Sequence, residues 1–467
     1  MHLQKESMNV HKKPSIIYRL FKRYLRLYHN VFYYRKFYVR HFENVPKEKV
    51  PLLMVSNHQN CLNDPLGILF SFRDRKVHFI ARASVFKNPF ADKFLRAIGL
   101  LPAYRADHEG VDQVESNKKT FEAAEEALLQ HKTVVIYPES GHQTKRWLGD
   151  FSYGYTRLAF QAAEKSDFKE DILILPSVNH YSDYRPIQYD FMIQYGKPIS
   201  IAPFYTLYQT KPRTAQRQVN ALVREQLRGM MLDVTDLEHY QAIDFMRNSS
   251  VGRAFARQQG FNPEVLPEKL AADRKLVALL DAQNAAQPQV MAAFYEKAVA
   301  LEQGLQALRV DEAGFEAVTA TGTCRSGASL WTVLGLALLS PLFLVGLIPN
   351  YLIHKAPSTF FHPEDHMFDG SLYYGLTVLV SIPVLYFIPF VLIWIFGAFW
   401  MAAAYIIVWP LLGLFDWYYA KWMRQAWRHL RFAKAYRKGA LQAWEEVRKQ
   451  LLEYVLKLDN VLKQDTK

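Results

Sequence analysis

The stretch PLLMVSNHQNCLNDPLG, Pro51 to Gly67, decides the fold and points to the chemistry. Its apolar opening, Pro51–Ser56, reads as a buried β-strand, and Asn57 and His58 follow at the strand exit, where α/β folds place reactive groups. Asp64 then precedes Pro65, a pairing that predicts a helix start with Asp64 as N-cap. Across the intervening loop the carboxylate of Asp64 can reach the imidazole of His58, orient it and stabilise it once protonated. No serine is placed as a nucleophile, so the pair would deprotonate a substrate hydroxyl and let it attack an activated acyl group. Cys61 is a rival nucleophile, and a helix cap beside a satisfied loop histidine is the purely structural reading.

Outward from this stretch, strands and helices alternate to about Pro203, which predicts an α/β domain with a sheet flanked by helices. KVHFIA, TVVIYP and DILILPSV are further short apolar runs of the strand type. KNPFADKFLRAIG, closed by Gly99, and the segment from Val114 to His131 are the expected helices between them. Before the domain, Ile16 to Val39 interleaves aromatic and basic residues at roughly helical spacing, as in an amphipathic helix lying at an anionic lipid headgroup boundary. After it, Arg213 to Ala320 is polar, Ala- and Gln-rich and helical in pattern, with a break at GFNPEVLPEK and no motif of known chemistry.

The chain has 467 residues and a formal net charge of +13. Residues 1–40 hold ten Lys/Arg against one acid, Glu6, and residues 416–438 hold seven against Asp416. Nucleic acid and an anionic membrane are the usual partners of such clusters, and two uncharged stretches, Leu330–Leu352 and Ser371–Phe415, decide for the membrane. The opening residues are too polar for a signal peptide, which places the region before Leu330 on the cytoplasmic side. Leu330–Tyr351 is long enough to span once. The 45 residues of Ser371–Phe415 would make a helix of about 67 Å, so they must bend. The basic tail favours Ser371–Phe396 as a span and Gly397–Phe415 as an interfacial segment, the alternative being two spans. Cys61 and Cys324 are the two cysteines, too few for a disulfide framework. HPEDH, His362–His366, has two histidines at a metal-binding spacing but no third ligand block, and reads as a hydrated loop.

The blocks of this region resemble the lysophosphatidate and glycerolipid acyltransferase family. NHQNCLNDP is similar to its first block, GLLPAYR (Gly99–Arg105) to its second, YPES (Tyr137–Ser140) to its third and ILPSVNH to its fourth, in family order over Pro51–Pro203. The resemblance implies His58 and Asp64 as the catalytic dyad, Arg105 as a contact to the acceptor's phosphate and Glu139 as the acidic residue of the third block. Two features depart from the family. Five residues rather than four separate His58 from Asp64, so the extra one must lie in the loop; on a helix it would turn the carboxylate by about 100°. Asn63 stands at the usual spacing and carries no charge. The third block lacks its arginine, leaving Lys145, Arg146 and Arg82 as substitute cations.

The expected organisation is basic interface helices over 1–48, an α/β acyltransferase domain over 49–235, a helical insert over 236–328, membrane segments over 329–415 and a basic cytoplasmic tail over 416–467. The expected activity is membrane-bound O-acyl transfer from a coenzyme A or acyl carrier protein thioester to lysophosphatidic acid, with no metal or other cofactor. Glycerol 3-phosphate or a lysolipid without phosphate is the alternative acceptor. An inactive membrane scaffold with this fold is the competing class.

Overall fold

Strand β2, Leu52–Ser56, lies in the middle of a sheet with the order β1-β7-β6-β2-β5-β3-β4, and β8 pairs with β6 off this path. Its neighbours are β1 (Tyr34–Arg40), β3 (Val77–Arg82), β4 (Leu100–Ala103), β5 (Thr133–Ile136), β6 (Leu173–Tyr181), β7 (Tyr189–Tyr195) and β8 (Ile199–Ser200). The computed structural model describes residues 16–60, 62–72, 75–86, 89, 92, 95–96, 99–103, 113–139, 145–184, 187–321, 326–360 and 383–465. It divides into two units, Met1–Met231 with His362–Tyr374, and Leu232–Phe361 with Gly375–Lys467.

In the first unit β2 runs parallel to both β5 and β6, and β3 is parallel to β5 and β4. Strands β7 and β8 are antiparallel to β6. The alternation along β2 explains why its sequence is apolar throughout. Leu53 and Val55 enter a core shared with the helices at Gln113–Leu129, Gly154–Lys165 and Pro212–Met230. Leu52 and Met54 enter the opposite core, with Ile68 and Phe72 from helix α2 (Asn63–Ser71) and its C-cap. A strand covered on both faces has no solvent side to mark with polar residues. Gly67 lets α2 approach β7 closely, since a Cβ there would come within 2.3 Å of the Phe191 ring.

The N-terminal segment departs from expectation. Helix α1 covers Ile16–Leu27, a wider turn carries Tyr28–Tyr33, and from Tyr34 the chain is strand β1 rather than helix. The reason is burial: Tyr34 and Phe37 pack on Phe191 with ring centroids 5.1 and 5.2 Å away, and Arg35 pairs with Asp190 at 2.7 Å. β1 is parallel to β7 at the end of the strand order, and its charged residues blunt that edge. Residues 34–40 thus belong to the sheet of the first unit, which runs on to Met231.

Apart from short connections, the described second unit is helical. The break expected at GFNPEVLPEK separates the helices Ser250–Gln258 and Leu266–Ala286. The C-terminal helix, Gln442–Asp465, is no separate tail. Tyr454 lies 5.2 Å from Phe294 between ring centroids, and Arg448 donates to Ser250 Oγ at 3.3 Å. A 35-residue helix, Ser326–Phe360, contains the first expected span. The second is rearranged: the chain breaks at Gly397 and Ala398, and Phe399–Arg437 is one 39-residue helix. Among the described residues this is the helix long and apolar enough, by length and composition, to cross a membrane. Within Ser326–Phe360 the apolar stretch is Trp331–Leu347, and Val384–Phe396 is a further short apolar helical stretch. Residues 399–415, expected as an interfacial segment, are the apolar start of a continuous helix that ends basic. The HPEDH motif lies outside the described residues.

Candidate active site

The parallel strands β2, β5 and β6 end at one edge of the sheet, and the functional side chains gather there. β2 delivers Asn57, which is locked to β6 twice: its Nδ2 donates to the Asn179 carbonyl at 3.0 Å and its Oδ1 accepts from the Asn179 N–H at 2.7 Å. This fixes the start of the loop that carries His58. His58 Nδ1 donates to Asp64 Oδ2 at 2.8 Å, with the histidine side chain 18% exposed and the carboxylate wholly buried. The ring lies on Tyr137, just past β5, with centroids 4.3 Å apart and planes at 23°. The imidazole is therefore held at one nitrogen and along one face.

Asp64 is not the helix cap expected from the sequence. Helix α2 begins at Asn63, and the Asp64 side chain turns back into the loop instead of serving its own helix. Its Oδ2 accepts the backbone N–H groups of Gln59 and Asn60, each at 2.8 Å, beside His58. Its Oδ1 accepts the Tyr181 hydroxyl at 2.6 Å. The Asn60 carbonyl in turn accepts from the N–H groups of Asn63 and Asp64 and starts the helix. The loop thus curls around the carboxylate, and the extra residue between His58 and Asp64 is absorbed there. Asn63 is buried and points its Nδ2 to Asn60 Oδ1 at 3.2 Å.

Glu139 is also buried, and its two oxygens accept backbone N–H groups, from His58 at 2.9 Å and from Gly149 at 3.0 Å. It ties the histidine loop to the loop after β5. Arg146, considered as a headgroup contact, is only 4% exposed; its Nη2 donates to the Tyr181 carbonyl at 2.8 Å and its guanidinium lies 4.9 Å from the Tyr184 ring centroid. Lys145 beside it is exposed. Arg82 ends β3 at the same sheet edge, with only its backbone described. Arg105 and Cys61 lie outside the described residues.

Tyr137, Tyr181, Asn57 and Asn179 are the site residues that the sequence reading did not assign. Tyr137 begins the third block, Asn179 is the next-to-last residue of the fourth, and Tyr181 follows that block directly. A signal existed in the convergence of adjacent parallel strand ends. Burial, and after it the charge of Asp64, holds the phenols of Tyr137 and Tyr181 well above the usual tyrosine range, so both keep their protons. Among the described residues no group of three His, Cys, Asp or Glu side chains is arranged to hold a metal ion.

An acyltransferase family model matches residues 36–179, which run from within β1 to within β6 and contain every site residue named above except Tyr181 and Tyr184. No curated protein matches the chain. Among solved structures, the 1-acyl-sn-glycerophosphate (LPA) acyltransferase PlsC from Thermotoga maritima is 17% identical, over 44% of this chain and 77% of that one, with a TM-score of 0.30. The family match falls on the segment in which the four blocks follow one another along the chain, and it makes residues 36–179 similar to the acyltransferase family.

Proposed function

We propose that the protein is a membrane-bound O-acyltransferase that moves a fatty acyl group from a thioester of coenzyme A or acyl carrier protein to the free hydroxyl of lysophosphatidic acid. The observation that carries this reading is the 2.8 Å contact between a partly exposed His58 and a fully buried Asp64 at the ends of parallel strands, inside an acyltransferase-family domain. With Nδ1–H directed at Asp64, Nε2 is the basic nitrogen. It takes the proton of the acceptor hydroxyl as that oxygen attacks the thioester carbonyl. The tetrahedral intermediate collapses with loss of the thiolate, which takes the proton back from the imidazolium, giving ester and free thiol. Asp64 stabilises the imidazolium between the two transfers.

Helix Phe399–Arg437 supports the membrane part of the reading, and its basic end suits an anionic cytoplasmic leaflet. The inward turn of Arg146 leaves Lys145, Arg82 and Arg105 as the cations for a phosphate headgroup. It also favours a second reading, acylation of glycerol 3-phosphate or of a lysolipid without phosphate. Turnover by the purified full-length protein in detergent, with each acceptor and both thioesters, separates these. The first reading requires lysophosphatidic acid to give the highest kcat/KM. In Lys145→Ala and Arg105→Ala the KM for that acceptor should rise about tenfold while the donor KM stays put, since each removes a charge-assisted contact. No turnover with any pair of substrates would leave the scaffold reading.

A further inference from the structure

The segment leaving β6 grips the histidine loop at several points. Tyr181, wholly buried, donates its hydroxyl to Asp64 Oδ1 at 2.6 Å. Tyr184 donates its hydroxyl to Gln59 Oε1 at 2.8 Å and accepts from Asn60 Nδ2 on its carbonyl at 3.1 Å. Gln59 and Asn60 are the residues whose N–H groups hold Asp64 Oδ2. Arg146 fastens this segment from behind, through the Tyr181 carbonyl and the Tyr184 ring. The Tyr181 ring is itself stacked on Phe191, with centroids 4.4 Å apart and planes at 3°.

We propose that Tyr181 is a positioning residue for the His58–Asp64 pair, supported by Tyr184 and Arg146, and that its hydroxyl sets the proton affinity of the pair. The proposal rests on the acyl-transfer reading and deepens it. A wholly buried carboxylate stays ionised only if donors replace its water, and each donor removed raises its affinity for a proton. Three of the donors to Asp64 crowd Oδ2, and Tyr181 serves Oδ1. Without Tyr181 the pair holds a proton more tightly, so His58 is available as a base only at higher pH. Tyr181 stays a donor throughout, because burial and the neighbouring carboxylate oppose its ionisation. Titratable groups that face the pair include Tyr137 under the imidazole and Glu139 on the His58 N–H; Tyr34 and Arg146 face Tyr181.

The test is Tyr181→Phe in the full-length protein, which keeps the ring and its stack on Phe191. The expected result is a fall of about tenfold in kcat/KM, with the acid limb of its pH profile moved up by about one unit and the thermal midpoint little changed. On an Asp64→Asn background the same substitution should cost nothing further, because Tyr181 acts through that carboxylate. The pH dependence of His58 modification by diethyl pyrocarbonate, mapped by peptide mass, should move upward with the profile, and it is readable even in a preparation without turnover. An unmoved modification midpoint in folded Tyr181→Phe, or an equal loss on the Asp64→Asn background, would overturn the proposal. Absence of acyl transfer in the unmodified protein would overturn the functional reading alone, and the modification midpoint would still decide the role of Tyr181.

Discussion

The molecule contains two histidine–aspartate pairs that look alike up close. In the first unit His58 and Asp64 meet at 2.8 Å, and the imidazole stacks on Tyr137 at 4.3 Å. In the second, His239 and Asp236 also meet at 2.8 Å, and that imidazole stacks on Tyr295 at 4.5 Å. Their surroundings differ. Asp236 lies three residues before its histidine, accepts the His239 backbone N–H at 3.0 Å and closes the turn that leads into helix Tyr240–Asn248. Its side chain is 16% exposed, and Asn284 is a further donor at 3.1 Å. Asp64 is wholly buried and receives Tyr181 from 117 positions away, while the His58 N–H is held by Glu139 from 81 positions away. Contact and stacking geometry alone do not distinguish a catalytic pair from a turn closure. What sets the first pair apart is its place at converging strand ends and its partners brought from far along the chain.

Substitutions can break this comparison. The largest effect is expected from His58→Ala, which should lower turnover by about 10²–10⁴-fold through loss of the general base. The matching His239→Ala should leave turnover within about twofold and lower the thermal midpoint by about 2–4 °C, as for the loss of a local contact. Comparable activity losses in both would erase the distinction. Next comes Glu139→Gln, in which an amide NH2 must face one of two N–H donors. A loss of about tenfold in kcat is expected, with a stability cost of about 1–3 kcal/mol in denaturant unfolding. Among substitutions at the first site the smallest effect is expected from Asn63→Ala, about threefold at most, because that side chain bonds Asn60 and not His58. A dead Asn63→Ala with a normal fold would return the dyad to the usual family spacing.

Much of this site was legible because β2, β5 and β6 are short apolar runs; the first and third family blocks fall at the exits of β2 and β5, and the fourth lies within β6. Other parts were not. YRKFYVR, Tyr34–Arg40, is aromatic and basic in a pattern that suits a helix at a membrane as well as an edge strand, and only packing on Phe191 chooses between them. Asp64 before Pro65 satisfies the cap rule, yet the carboxylate has better use among the N–H groups of a tight loop. Arg146 carries a charge in the sequence but no sign that it is buried against Tyr181 and Tyr184. Tyr181 and Asp64 are joined by sheet order, which local pattern does not encode. The helical region of the second unit held no motif in sequence, and its His239–Asp236 pair is consistent with that silence.

The central claim is that the buried charge of Asp64, rather than the presence of a histidine–aspartate contact, makes the first pair catalytic. Asp64→Asn beside Asp236→Asn tests it most directly. An asparagine at 64 can keep its oxygen toward His58, Gln59 and Asn60, while the Tyr181 hydroxyl turns to accept from the new NH2, so the fold should survive. Acyl-thioester turnover and thermal midpoint are measured on both full-length variants. The account predicts that Asp64→Asn loses about a hundredfold or more in kcat while staying folded, and that Asp236→Asn turns over like the unmodified protein. Near-normal turnover in Asp64→Asn, or an inactive but folded Asp236→Asn, would contradict it.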